Sequence, residues 1–170
     1  VCGSHVHKDA DTVAYRCTGG LACDAQRLFA ITHFASRLAI NIDGLGEGTV
    51  QNLLDAKLVS RPSDLWDLDG GALAKLEGWG PVSAKKLVAA IQAASKPELN
   101  RFIYALGIPG VGESSAKELA RAFKTWDAFA QANESALLAV PDMGPITASN
   151  IRQFLAEEGN AAETARLVTL

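Results

Sequence analysis

The chain has no apolar run approaching the ~18 residues that a membrane span needs, and no basic-then-apolar start of the kind that directs secretion. Both absences lead to the expectation of a cytoplasmic protein with no membrane partner. A Ser/His/Asp set and paired carboxylates flanked by convergent polar groups are also missing, so no residue is assigned to catalysis. Excess charge of one sign is lacking too: 16 Lys and Arg stand against 19 Asp and Glu, a net charge of −3. That balance argues against a strongly basic, counterion-releasing binder of polyanions. With 48% hydrophobic residues over 170 positions, the chain is neither disordered nor fibrous and can bury a core in one or two small domains.

Cysteine is scarce, but Cys2, Cys17 and Cys23 all fall near the start. With no secretion signal, such a cluster points to metal rather than disulfide. Structural zinc takes four tetrahedral ligands, usually thiolates, and three do not close a site. The chain opens one residue before Cys2, so a Cys-x-x-Cys knuckle would have its first member just before residue 1. His5 or His7 as substitute ligand, or idle thiols, are the alternatives. The runs on either side of Asp9-Ala10-Asp11 would pair as a small β-hairpin.

What the sequence has in quantity is glycine, 15 residues, and much of it recurs in one pattern. Gly44-Leu45-Gly46, Gly78-Trp79-Gly80, Gly110-Val111-Gly112 and Asp142-Met143-Gly144 place an anchor glycine at intervals of 34, 32 and 32 residues. Three residues past each anchor stands a hydroxyl: Thr49, Ser83, Ser115 and Thr147. Four past it comes a small or β-branched residue, and seven past it an aliphatic one. The residue just after the anchor alternates as Glu47, Pro81, Glu113, Pro145, so the unit is a doublet present twice.

Glycine reaches positive φ without a Cβ penalty and admits close backbone approach, and the first amides of the following helix lack internal partners. Such a turn is an anion cradle that grips a phosphate and reads no base. The basic residues Lys85, Lys86, Lys117, Arg121 and Arg152 lie on the helices after the turns, where they are either phosphate contacts or a solvated surface. The hydroxyls have a second reading as first-turn caps. Asp142 replaces a glycine, and a carboxylate beside a phosphate is unfavourable, so the fourth copy is expected to be weak or purely structural.

Along the chain, an apolar stripe over residues 24–42 predicts one helix into the first turn. Pro62 breaks the chain and Ser63 recaps it; Leu65, Trp66 and Leu68 begin a short element that Gly70-Gly71 ends. The helix after the second turn carries Val82, Leu87, Val88 and Ile91 on one face. Ser95-Lys96-Pro97 is the boundary between doublets. Trp66, Trp79, Trp126 and Phe129 read as core rather than base-stacking platforms. Residues 151–170 continue helical and stop without a cap, as at a cut end.

Helix, Gly-apolar-Gly turn, helix, with Ala84, Ala116 and Ala148 four past the glycine, resembles the helix-hairpin-helix motif of DNA-repair proteins. The larger constellation is similar to the middle of bacterial NAD-dependent DNA ligase: Cys-x14-Cys-x5-Cys, Ala25-Gln26-Arg27, His33-Phe34-Ala35-Ser36-Arg37, Phe102-Ile103-Tyr104-Ala105-Leu106, and four hairpins. The resemblance implies an all-α fold of two paired helix-hairpin-helix units behind a small zinc-finger-like β segment. Residues 1–24 would be a truncated four-cysteine finger, 25–96 the first doublet and 97–170 the second.

It further implies zinc on Cys2, Cys17 and Cys23, and phosphate contacts at Gly44 to Gly46, Gly78 to Gly80 and Gly110 to Gly112. The partner would be nicked duplex DNA, held sequence-independently through its minor groove by a monomer, during replication and repair. NAD and magnesium would serve the whole enzyme without binding here, because the family's adenylated lysine lies in a Lys-x-Asp-Gly motif absent from this chain. The segment alone would be inactive. Another repair enzyme, a glycosylase or nuclease, and a protein-interaction domain are the alternatives.

Overall fold

The computed structural model describes residues 2–8, 13 and 15–170; the expected turn at Asp9-Ala10-Asp11 lies outside them. Strands β1 (Val6–Lys8) and β2 (Tyr15–Cys17) pair antiparallel, with Val6 opposite Cys17. The rest is helical. In the first half stand α1 (Asp24–Ala35), α2 (Glu47–Asp55), α3 (Gly70–Leu73) and α4 (Pro81–Ala93). The second half holds α5 (Leu99–Ala105), α6 (Glu113–Phe123), α7 (Trp126–Ala130), α8 (Glu134–Leu138), α9 (Pro145–Ala156) and α10 (Glu158–Val168). The architecture is the all-α one expected, with a two-stranded piece at one end.

Two cores form. Ile31, Phe34, Leu53, Leu65, Leu87 and Ile91 belong to the first, and Ile103, Leu119, Phe129, Leu137 and Ile151 to the second. Trp66 and Trp79 pack against the first core and Trp126 against the second, so the tryptophans are structural. On α4 the buried residues are Ala84, Leu87 and Ile91. Val82, expected on that face, is instead 83% exposed. At 100° per residue it points about 200° away from Ala84, on the other side of the helix.

Four further expectations are corrected. Helix α1 stops at Ala35, and residues 36–40 form a separate turn in which the amides of Ala39 and Asn41 both donate to the Ser36 carbonyl. The Arg101 guanidinium takes the Arg37 and Ala39 carbonyls, each at 2.9 Å, and Asn41 leaves the turn at φ 58°. Gly70 and Gly71 open α3 rather than ending an element, because the Asp69 carboxylate accepts the Ala72 amide at 3.0 Å as an N-cap. Residues 151–170 are two helices, broken at Glu157, whose carboxylate caps α10 through the Gly159 and Asn160 amides.

The fourth correction concerns Ser63, which caps nothing. It is fully buried in the tight turn of residues 62–67, where its amide (2.7 Å) and hydroxyl (2.8 Å) both donate to the carboxylate of Glu163 on α10. Arg61 lies 3.9 Å from the same carboxylate. One turn further along α10, Arg166 donates to Asp64 at 2.8 Å and also reaches Asp67, while Leu167 enters the first core. The last helix therefore returns to the first doublet.

Burial alone would push the Asp64 carboxyl up, but the Ser60 amide and hydroxyl, Arg166 and the Arg61 amide together hold it below the ordinary carboxylate value. A depressed folded value contributes stability that is complete above about pH 4, the unfolded carboxyl's range, and is lost as pH falls through the folded value. Asp64→Asn should therefore lower the melting temperature at neutral pH and flatten its decline between about pH 5 and pH 2. Glu163→Ala leaves two buried donors without acceptors and should destabilise by about 2–4 kcal/mol in denaturant titration.

Candidate nucleic-acid interface

The four turns share one backbone. The residue two before each anchor is left-handed: Gly44 at φ 83°, Gly78 at 78°, Gly110 at 83° and Asp142 at 60°. Asp is among the few non-glycine residues that tolerate this region through local hydrogen bonding. The fourth turn thus keeps the geometry of the others, with an exposed carboxylate at its corner. The middle residue's amide then donates three residues back: Leu45 to Ile42, Trp79 to Leu76, Val111 to Ile108 and Met143 to Val140.

The anchor glycines are different in kind. Gly46, Gly80, Gly112 and Gly144 have φ of −80°, −137°, −88° and −87° with ψ near 180°, extended values that any residue adopts. A Cβ added to any of the four would meet nothing within 4 Å. Neither backbone strain nor internal crowding calls for glycine there. Each anchor carbonyl accepts the first helical bond, from the Val50, Ala84, Ala116 or Ala148 amide, so the amides before it open outward. The result is four bare helix mouths with no side chain on the capping residue.

The hydroxyls divide. Ser83 closes on its own turn, accepting the Gly80 amide and donating to the Gly80 carbonyl at 3.0 Å each, so it is a cap. Thr147 lies against the third turn, where a Cβ on Gly110 would stand 3.0 Å from its Oγ1. Thr49 and Ser115 are half-buried in the first turns of α2 and α6. Asn150 of α9 donates to the Pro109 carbonyl at 3.2 Å and joins turns three and four.

The basic residues are not equivalent either. Lys117 pairs with Glu113 and Arg121 with Glu118, at 2.6 Å in each case. Arg152 donates to the Ala130 and Ala132 carbonyls. Lys85 and Lys86 are exposed on α4 and make no ion pair among the described residues.

At the other end of the chain, the ligand atoms of Cys2, Cys17 and Cys23 all lie within 4.8 Å of one another, with Cys2 and Cys17 Sγ 3.5 Å apart. Thiolates held about 2.3 Å from a tetrahedral zinc stand roughly 3.8 Å apart, so the donor set fits that ion. Hydrogen bonds from Ser4, and then from the other two cysteines, bring the Cys2 thiol down to about 6, which makes it a thiolate at neutral pH. The Gly19 amide donates to Cys17 Sγ at 3.3 Å. A Cβ on Gly19 would stand 2.8 Å from Ser4 Oγ, 3.1 Å from Cys2 Sγ and 3.3 Å from Cys17 Sγ, so the cradle depends on glycine. His5 and His7 do not join the cluster.

Residues 1–25 match the NAD-dependent DNA ligase C4 zinc finger domain. Residues 36–93 match the SAM-like helix-hairpin-helix tandem, and residues 101–163 the helix-hairpin-helix motif. Together the three matches support a fragment of a bacterial NAD-dependent DNA ligase. The two helix-hairpin-helix matches fall on the two pairs of turns, and the finger match on the thiol cluster. Gly144, the anchor of the fourth copy, lies inside the second of these matches, and its turn has the same dihedrals as the other three.

If the thiols hold zinc, Gly19→Ala should release it. Elemental analysis of the zinc-loaded chain should show metal falling towards the level of Cys17→Ala, with helix content by circular dichroism unchanged, since Gly19 lies outside the helical cores.

Proposed function

We propose that this chain is the duplex-holding part of an NAD-dependent DNA ligase, the enzyme that closes nicks in DNA during replication and repair. The observation that carries the reading is the bareness of the four anchor glycines. Each has ordinary dihedrals and open space around it, so the demand for a missing side chain comes from outside the chain. A phosphate oxygen seated at a helix mouth needs close approach to backbone amides, and a side chain on the capping residue would stand in its way.

On this reading the outward-facing amides at the helix mouths behind the turns Gly44 to Gly46, Gly78 to Gly80 and Gly110 to Gly112 take phosphates on the two strands that border a minor groove, without reading bases. Lys85 and Lys86 add free cations to the second turn, and Lys117 and Arg121 contribute after release from their acidic partners. The carboxylate of Asp142 makes the fourth turn the weakest site. Cys2, Cys17 and Cys23 hold zinc, which ties the first strands to the start of α1 and supplies no chemistry beyond that. Adenylation of a lysine, with its NAD and magnesium, belongs to other parts of the enzyme. This segment positions nicked duplex, acts as a monomer in the bacterial cytoplasm, and is inactive by itself.

Binding of the chain to a fluorescent nicked duplex, an intact duplex and a single strand, across a salt series, tests this. The expected result is sequence-independent preference for duplex, with a shallow salt slope equivalent to about two to four phosphates. Gly112→Val should weaken duplex binding roughly ten-fold or more while helix content is unchanged, because valine adopts the dihedrals of that position and its Cβ meets nothing within 4 Å. Equal loss of helix and affinity would make the turn architectural only. Absence of binding to every probe at low salt would favour a protein-interaction domain.

A further inference from the structure

The first turns of α4 and α9 each present a large β-branched side chain to solvent: Val82 is 83% exposed and Ile146 76%. They occupy the same place in the repeat, two residues past the anchor glycine and directly behind a proline. The odd copies have Gly48 and Ser114 there. Neither side chain serves a core, since it is Ala84 and Ala148, two positions on, that are buried. Neither favours the helix, because β-branching costs rotamer freedom there. Two exposed apolar knobs in register are unexplained by folding.

Their direction is set by helix geometry. The Cα–Cβ bond of a helical residue tilts toward the N-terminus, so each knob overhangs the open mouth formed by its glycine turn. On α4 the residues three and four further on are Lys85 and Lys86, which puts the apolar knob and two exposed cations, without an ion pair among the described residues, on one face. On α9 the same offsets hold Ser149 and Asn150, and Asn150 is spent on the Pro109 carbonyl. Charge and apolar surface coincide only at the second hairpin.

That combination selects its occupant. A lipid surface or an apolar helix requires a contiguous hydrophobic patch, and one isopropyl group set among lysines is not one. A nucleic-acid backbone alternates phosphate anions with sugars whose carbon faces are apolar, and it matches amides, cations and knob in turn. Within it, deoxyribose and ribose differ at C2′, a methylene in one and a hydroxyl in the other. A 2′-hydroxyl pressed against an isopropyl group loses its water and gains no partner.

We propose that Val82 packs on a deoxyribose of the strand held by the second hairpin, and that the Val82-Lys85-Lys86 face of α4 is where this segment selects DNA over ribose-containing strands. The proposal rests on the duplex-holding reading above. It goes beyond that reading by assigning discrimination of the sugar to an exposed side chain, while the amides and cations position the phosphates.

The test measures affinity of the 170-residue chain for a nicked all-DNA duplex and for the same duplex with one ribonucleotide strand. Val82→Thr keeps the shape and adds a hydroxyl; Val82→Ile keeps the apolar character. The position faces solvent, so the fold is retained and circular dichroism should confirm it. Val82→Thr should weaken DNA binding about five-fold and bring the DNA-to-hybrid preference close to unity, while Val82→Ile retains both. Lys85→Ala should weaken both duplexes alike and reduce the salt slope by about one.

A Val82→Thr chain that matches wild type in affinity and preference, while Gly112→Val still loses binding, overturns the sugar contact and leaves the duplex reading standing. A wild-type chain that binds neither duplex overturns both.

Discussion

The fold depends on a single backbone requirement met four times. Between two helices the chain must reverse within three residues, and the first of them must be left-handed. Gly44, Gly78 and Gly110 satisfy this without a Cβ, and Asp142 satisfies it as one of the few side chains able to do so. Once that residue is set, the middle residue turns inward, and Leu45, Val111 and Met143 are buried as a result. The next residue is then left extended at the mouth of a helix, facing out. A buried plug and a bare mouth are two sides of one conformation, so the same turn that organises the core also makes the surface with which we associate function.

Within each doublet the copies lean on one another. The left-handed glycine of an odd copy backs onto the helix of the even copy: Gly44 faces Leu87 of α4, and Gly110 faces Thr147 of α9. In the second doublet the contact is tight enough for Asn150 to bond the Pro109 carbonyl. The two doublets are in turn joined by polar anchors. His33 of α1 donates to the Tyr104 carbonyl at 2.8 Å, and Arg101 of α5 holds the two carbonyls that close the turn after α1. Arg101 takes carbonyls of the turn that ends α1, and His33 joins the Gly107 amide on the Tyr104 carbonyl.

What the sequence made legible was whatever a few neighbouring residues decide. The glycine turns, the thiol cluster and the doublet period all follow from local chemistry, and the structure has them. The misread places are those where a distant residue intervenes. Ser63 has the chemistry of a cap, but a carboxylate a hundred residues away takes both of its donors. The apolar stripe runs over residues 24–42, yet Ser36 turns extended and ends the helix, and Arg101 holds the Arg37 and Ala39 carbonyls of the turn that follows. Val82 reads as sharing a face with Leu87, Val88 and Ile91, but its place two residues before the buried Ala84 turns it to the opposite side of the helix. At the interface, the sequence located the cradles but not which lysines were free, because that depends on which acids stand one turn away.

The return of α10 to the first doublet bears on how the chain is made. Ser63 lies buried with its donors committed to Glu163, and Leu167 fills part of the first core. On a ribosome, residues 24–93 emerge long before that helix does, with a gap in their core and two unsatisfied donors beside it. The first doublet thus waits, incompletely closed, for the last turns of the second, and contacts this distant in sequence make the final docking slow compared with the formation of each hairpin pair. Assembly order runs against chain order: the earlier half is finished only by the arrival of the later one.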